Sequence, residues 1–488
     1  MNDDSKNDAV DASLVEDDAP EATANEPTCN TPGRPIVAWL IIVGIVLAIV
    51  LRPREVPEAE RAGVQLIASR ALEMQSKYLV GVASLNPQTS EELYQQTVAS
   101  ADRSTFDNHI RFAIVAGELA GQEEAATLLS EADAKWGLTA TPEQKELLTL
   151  LSTLYVDHEM IGDPPLTPSQ RQQVIDKLGW FGELALAPHG SDTAKRNSVI
   201  KSAQTLAIGL IAFILFGIAL VLGGVVSAIL LFALAFKKRL QSRVVGISRF
   251  RNVYVETFAV WILLHQTIGF VAAFFVTETN ELLVSTVALA CTGLAAAWPV
   301  LRGANWGSVR REIGLTAGSK SAIIEVLYGA LGYVTMLPFI AVNMVMLALV
   351  MHFWKGGVGG DDGPQMPSHP IDEWATNGST GTYILVFVIA AVVAPILEET
   401  MFRGFLYRHL RDNSRFLKTT TSVLMSAVFS SFVFAVIHPQ GWLTVPALTT
   451  MAIGFCLIRE WRGSLIASMT AHSLHNGLTT ILMLLLVS

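Results

Sequence analysis

Long runs of apolar residues are the feature that most restricts how this chain can fold. Several exceed the roughly 18 residues that predict a membrane-spanning helix, and the longest extends from Ala203 to Phe236. Because lipid offers the backbone no hydrogen-bond partners, only helices and closed barrels can cross a bilayer. The sequence therefore predicts an all-α protein, a polytopic helical membrane bundle of about eight to nine spans.

Composition narrows the classes of partner. Apolar residues make up 51% of the 488 residues, and the net charge of -9 comes largely from the N-terminal tail and the region between the first two spans. Lys and Arg form short clusters beside the apolar runs and no extended basic surface, so no nucleic-acid partner is expected. The cysteines are Cys29, Cys291 and Cys456, too few and too scattered to predict a disulfide framework or a cysteine metal site.

The chain divides into five segments by composition and periodicity. Residues 1–34 are acidic and have little to bury, which is typical of a disordered tail. Residues 35–52 are predicted to be a signal-anchor transmembrane helix. Residues 53–200 show helical periodicity with a repeat-like alternation of small and large residues, and they predict a helical extramembrane domain. Residues 201–309 are predicted to add further transmembrane helices, and residues 310–488 to form the core that carries the polar motifs.

The basic cluster Lys237–Arg243 is the strongest indication of topology. The positive-inside rule assigns this cluster to the cytoplasm, which leaves residues 53–200 outside and the N-terminal tail inside. Three arginines after the first span are weak evidence against this orientation: Arg52, Arg54 and Arg61. A hairpin at Gly223–Gly224 would reverse the assignment. We expect an integral, multi-pass protein of a bacterial inner (cytoplasmic) membrane.

Charged residues stand at membrane depth directly after an apolar run, where they are rare and costly unless they face protein or a wet cavity. Glu399 and Arg403 are four residues apart on a helix and are predicted to pair. Glu398 is rotated from Glu399 by about 100° and lacks that partner. One carboxylate is therefore expected to be structural, and the other to be free for chemistry.

Two later apolar runs carry histidines. His438 is followed by a Pro-Gln-Gly break, and His472 and Asn476 share a helix face in the last run, with His475 beside them. Together with Glu398, these side chains come from three helices and can converge on one buried point. Such a set can activate water by general base catalysis. Two His and one Glu with an open position also form a recurring catalytic zinc shell. His475 could act in place of His472, but the face shared with Asn476 favours His472.

The three motifs together resemble those of the CPBP intramembrane proteases. They are Glu398-Glu399-x-x-x-Arg403, Phe434-x-x-x-His438 and His472-x-x-x-Asn476. The family groups the type II CAAX prenyl endopeptidases with bacteriocin-processing and bacteriocin-immunity proteins. Arg311-Glu-Ile-Gly-Leu315 is similar to a short segment that often precedes the family's core, so the resemblance covers residues 310–488 and makes them a CPBP-like intramembrane protease core.

The resemblance implies a role for each residue. Glu398 would be the general base acting on water, assisted by His438, while His472 and Asn476 would form an oxyanion hole. The neighbouring Glu–Arg pair would hold the helix and orient the site. The motifs do not settle whether a divalent metal, zinc above all, takes part. If one binds, its ligands would be Glu398, His438 and His472. Catalysis by Glu and His without a metal is preferred.

The resulting prediction is an intramembrane endopeptidase that hydrolyses a peptide bond of a membrane-associated protein or peptide. The alternative is a non-catalytic protein of the same fold that binds a partner, as an immunity protein would. A transporter is disfavoured because the hydropathy pattern shows no internal repeat. The lipid bilayer is an expected partner, and the helical extramembrane domain is expected to bind protein. His265, alone in an apolar run, is interpreted as a hydrogen-bonded packing residue.

Overall fold

The computed structural model describes residues 33–52, 58–98, 101, 103–156, 164–188, 193–277, 280–318, 321–356 and 379–487. Every regular element in these ranges is helical, which confirms the all-α prediction. The predicted disordered tail, apart from its last two residues, lies outside the described residues.

The first helix, α1 (Pro35–Leu51), is followed by seven helices with a hydrophobic core of their own, which includes Ile110, Leu151 and Phe181. These helices are α2 (Glu58–Leu85), α3 (Ser90–Val98), α4 (Phe106–Leu119), α5 (Gln122–Trp136), α6 (Pro142–Tyr155), α7 (Pro168–Leu178) and α8 (Trp180–Ala185). Thr141 and Thr167 begin α6 and α7 with capping boxes, which satisfy amides at both helix starts. We call α2–α8 the helical domain.

After the helical domain, the described residues form nine further α-helices: α9 (Thr193–Phe236), α10 (Arg251–Ala272), α11 (Glu281–Leu301), α12 (Trp306–Ile313), α13 (Ala322–Gly356), α14 (Thr380–Asn413), α15 (Thr419–Val436), α16 (Val445–Arg462) and α17 (Leu465–Val487). Among the described residues, seven helices are long and apolar enough to cross a membrane: α9, α10, α11, α13, α14, α15 and α16. The predicted polytopic helical bundle is thus confirmed. The expected count of about eight to nine spans also includes α1 and α17.

Helix α9 joins the helical domain to the membrane bundle without a break. It runs for 44 residues, so the chain does not form the hairpin considered at Gly223–Gly224, and the predicted border at residue 200 falls inside this helix. The start of α9 packs on α2, where a Cβ on Gly81 would lie 2.4 Å from the carbonyl oxygen of Ala203. Glycine is required there because it lets the two helices approach closely.

The basic residues of the membrane part gather at one end of the bundle. The loop 237–250, which contains the basic cluster Lys237–Arg243, lies against the last turns of α14 and α16. Arg415 Nη2 donates to Val244 O at 2.7 Å, and the amide of Arg243 donates to Glu460 O at 2.9 Å. We call this the basic end. It brings the cluster that the sequence assigns to the cytoplasm next to the arginines in the last turns of α14 and α16.

The helical domain lies toward the opposite end of the bundle. Helix α1 begins at the basic end, where Gly33 contacts Asn252 at the start of α10. Its last residue, Leu51, is therefore at the other end, and α2 follows after a short connection. Helix α9 then returns from the helical domain to Lys237 at the basic end. We call the end that carries the helical domain the domain end.

Candidate active site

Glu399 and Arg403 form the predicted ion pair at the centre of α14. Arg403 Nη1 lies 2.9 Å from Glu399 Oε1, and the two side chains are 1% and 0% exposed. The guanidinium also lies over the rings of Phe434 and Phe455, at 4.7 and 5.1 Å from their centroids. Cation–π contacts of this kind are strongest where water is excluded. The pair is thus part of the protein interior and is withheld from solvent.

Glu398 faces a cavity. Its side chain is 21% exposed, and its Oε2 lies 3.7 Å from His472 Nε2 and 3.9 Å from His438 Nε2. These distances are too long for direct hydrogen bonds. They leave room for a water molecule that contacts the carboxylate and either imidazole, the usual arrangement when polar groups are separated by more than about 3.5 Å. The two adjacent glutamates therefore have different surroundings, as the helix geometry predicts.

His438 reaches Glu398 because α15 begins beside the extension of α14 at the basic end and stops at the level of the site. Near its start, Ser422 Oγ accepts from Arg411 Nη1 at 2.5 Å, and Ser426 lies 3.2 Å from Ser414. The helix ends at Val436, just before Pro439. The ring of His438 bonds through Nδ1 to the carbonyl of Phe434 at 2.5 Å. Since a carbonyl only accepts, Nδ1 carries hydrogen. Nε2 of the neutral ring is then an acceptor on the side facing Glu398, available to a donor such as a water molecule between the two groups.

His472 connects the two glutamates. Its Nδ1 lies 3.0 Å from Glu399 Oε1, its Nε2 faces Glu398, and its ring stacks on Phe455 with the centroids 4.8 Å apart. The carboxylate of Glu399 therefore fixes the orientation of the ring, in the way that carboxylates orient catalytic and metal-binding histidines. His475, the alternative candidate, packs near Tyr333 with ring centroids 6.1 Å apart. The structure thus places His472 beside both carboxylates.

Asn476 is held by an irregular turn of α14. Its Nδ2 donates to the carbonyl oxygen of Ala390 at 2.9 Å, inside the π-helical turn Ile389–Val393. Such turns are often found at functional sites because they change which backbone groups are free to bond. One hydrogen of the Asn476 amide is used in this bond, and the second is available to a group in the cavity that the side chain lines.

The cavity has a volume of about 600 Å³ and is lined by all four predicted catalytic residues: Glu398, His438, His472 and Asn476. The opposite wall comes from α10 and α11, with the polar residues His265, Gln266, Ser285 and Thr286.

The interpretation of His265 as a hydrogen-bonded packing residue is wrong, because its side chain is exposed to the cavity and has no hydrogen-bond partner among the described residues. A single His in an apolar run carries no spacing that could have indicated this position.

The arrangement of these donors does not support a metal centre. In the part of the chain that the structure describes, no group of three or more His, Cys, Asp or Glu side chains is placed to hold a metal ion. Zinc binding by Glu398, His438 and His472 stays a prediction without support from the geometry, and the proposal below uses these side chains without a metal.

The segment Arg311–Leu315 supports the site from behind. The carbonyl oxygen of Gly314 accepts from the amide of Leu465 at 2.8 Å, at the start of the helix that carries His472. Gly314 has φ of +83°, and a Cβ there would lie 2.5 Å from Arg459. Only glycine fits this left-handed position. The predicted border at residue 310 falls inside α12, so the segment belongs to a helix packed on the bundle.

A glutamate and two histidines from three membrane helices thus face one cavity inside the bundle. In a comparison with protein-family models, residues 380–478 match the family described as Rce1-like, type II CAAX prenyl endopeptidase Rce1-like. This segment contains all three motifs, and the match supports the resemblance to the CPBP family that the motifs predict. The match covers about a fifth of the chain. Searches of curated proteins and of solved structures found no match.

Proposed function

We propose that this protein is an intramembrane endopeptidase that hydrolyses a peptide bond of a membrane-associated protein or peptide. The observation that carries the proposal is the meeting of Glu398, His438 and His472 around a gap of water size on the wall of the cavity. The family match supports a CAAX-protease-like activity at the level of the class. The buried Glu399–Arg403 pair supports the proposal further. Glu399 also orients the ring of His472, which an ion pair with only a packing role would not need to do.

The proposed chemistry begins with a water molecule between Glu398 and His438. Glu398 takes one proton from this water, while His438 Nε2 accepts a hydrogen bond from its other O–H group and orients the oxygen. The oxygen attacks the carbonyl carbon of the substrate, whose C=O electrons move onto oxygen. General base catalysis of this kind contributes about 10²- to 10⁴-fold in rate. The proton held by Glu398 then passes to the leaving nitrogen as the C–N bond breaks.

The oxyanion of the tetrahedral intermediate needs donors on the other side of the gap. Asn476 offers its second amide hydrogen, since the first is bonded to Ala390. His472 can donate from Nε2 only as an imidazolium, because its Nδ1 hydrogen already faces Glu399. Preorganised donors in a dry site are the most effective form of transition-state stabilisation.

The test compares new peptide termini in membranes that carry the native chain and membranes that carry Glu398→Gln. The substitution keeps the size of the side chain and removes the base. We expect a set of termini that appears only with the native chain, which would also identify substrates. Equal sets of termini, with the variant folded and inserted to the same level, would refute the proposal. Retained capture of a partner protein by both chains would then favour a partner-binding function.

A further inference from the structure

The cavity occupies only one half of the bundle. On α10 it is lined by residues from Trp261 to Gln266, and none of the lining residues lies nearer the basic end of that helix. On α14 no residue after Phe402 lines it, and on α17 no residue before His472 does. Each of these helices therefore contributes the part that lies away from the basic end. The catalytic side chains form the floor of the cavity.

The cavity extends from this floor to the domain end. Its lining includes Ile49 in the last turn of α1, Ser285 near the start of α11 and Met483 near the end of α17. All three positions are at helix termini that lie at the domain end. Polar side chains continue along this route, with Gln266 and Thr286 on one wall and Thr479 on the other. They offer partners to the backbone groups of a peptide that has left water.

The connections between spans on the cavity side of the bundle carry few basic residues, although Arg52, Arg54 and Arg61 follow the first span. The connections 273–280 and 439–444 contain neither Lys nor Arg. The basic end collects the cluster that begins at Lys237 together with arginines from α14 and α16, among them Arg411 and Arg459. Loops rich in Lys and Arg remain in the cytoplasm during insertion. The charge distribution thus assigns the mouth of the cavity to the non-cytoplasmic side.

We propose that the active-site cavity opens on the non-cytoplasmic side, beside the helical domain, and receives a polypeptide segment that is exposed on that side. The substrates would be secreted or membrane-anchored proteins whose cleaved segment reaches the bilayer from outside. A tail presented at the cytoplasmic surface would meet the packed basic end, where the ion pair of Arg411 and Glu460 is 2% and 7% exposed. The nature of the substrate rests on the proposed function, whereas the direction of access does not.

The experiment measures cysteine labelling by a membrane-impermeant charged maleimide, before and after the membrane is permeabilised. The full chain carries Cys29→Ser and Cys291→Ser, with the fully buried Cys456 retained. Ser285→Cys places a thiol in the cavity. Two matched controls use exposed positions: Ser130→Cys in the helical domain and Lys237→Cys at the basic end.

We expect Ser285→Cys and Ser130→Cys to react in intact cells, and Lys237→Cys to react only after permeabilisation. If Ser285→Cys is labelled only after permeabilisation, as Lys237→Cys is, the proposal is overturned. It is also overturned if the thiol of Ser285→Cys reacts from neither side. Reaction of Ser130→Cys only after permeabilisation would overturn the assigned orientation of the chain. The labelling requires no catalysis and should be the same with Glu398→Gln, so its failure is distinguishable from failure of the protease proposal.

Discussion

The strongest prediction concerns the different roles of two adjacent glutamates. The substitutions Glu398→Gln and Glu399→Gln make the same chemical change at neighbouring positions. Glu398 is partly exposed and has no hydrogen bond within 3.5 Å among the described residues, with its nearest imidazole nitrogens at 3.7 and 3.9 Å. Glu399 is 0% exposed and lies within 3.0 Å of both Arg403 and His472. We expect the first change to affect activity and the second to affect stability as well.

The magnitudes follow from these contacts. Removing one partner of a buried ion pair costs about 3–5 kcal/mol, because the other charge is left uncompensated. The amide oxygen of Glu399→Gln still accepts a hydrogen bond, so we expect a loss of about 3 kcal/mol, near the lower limit of that range. Glu398→Gln breaks no direct bond and should cost no more than about 0.5 kcal/mol. Its cleavage rate should fall by about 10²- to 10⁴-fold.

The assay combines detergent-induced unfolding of the purified chain with the cleavage rate of a substrate identified from its new termini. A double-mutant cycle adds Arg403→Met, since removal of both charges should cost less than the sum of the single changes. Equal stability of Glu399→Gln and the native chain would refute the structural role of the pair. Full cleavage by Glu398→Gln would refute the role of Glu398 as the base.

Four further outcomes are expected. Gly314→Ala should lower the free energy of unfolding by at least about 2 kcal/mol, because Gly314 has a positive φ and an added Cβ would collide with Arg459. The control Gly303→Ala, at a φ of +89° with open surroundings, should cost about 1 kcal/mol. Equal losses in a thermal unfolding assay would contradict this prediction. Asn476→Ala should lower kcat by about 10²- to 10³-fold with KM nearly unchanged; a rise in KM alone would assign Asn476 to substrate binding. Chelator treatment should leave the cleavage rate unchanged; a loss that zinc restores would establish a metal site. Deletion of residues 59–186 should slow cleavage of substrates with large extramembrane domains, and unchanged rates would exclude recruitment by that region.

The motifs on α14 and α17 could be predicted from spacing because one turn of a helix brings residues four apart together. Glu399 and Arg403 meet in this way. The same rule leaves Glu398 without that arginine, and its nearest charged or titratable partners are the imidazoles of His472 and His438. The bond between His472 and Glu399 could not be predicted, because it joins helices that are distant in the chain and depends on how they pack. Likewise, the π-helical turn that frees the carbonyl of Ala390 leaves no pattern in a run of apolar residues.

The wall formed by α10 shows a second kind of limit. Periodicity predicts that a helix crosses the membrane, but not which of its faces meets lipid and which meets a cavity. Trp261 is placed by its indole, which donates to Thr292 Oγ1 at 3.3 Å, and its ring lies 5.5 Å from Phe402. This contact turns His265, one turn later, toward the cavity, with its ring 5.9 Å from that of Trp261. Only the packing of three helices gives His265 its position.

Helix α9 gives the helical domain a fixed place beside the cavity. At 1.5 Å per residue its length is about 66 Å, roughly twice the hydrocarbon thickness of about 30 Å, so its first half must project from the bilayer. That half is buried against α2 at Ala203, which is 0% exposed. The membrane half bonds to α13 through Ser227 and Thr335 at 2.7 Å, and α13 packs through Gly329 on α17, the helix that carries His472. Packing contacts therefore connect the helical domain, through α9 and α13, to the helix that carries His472.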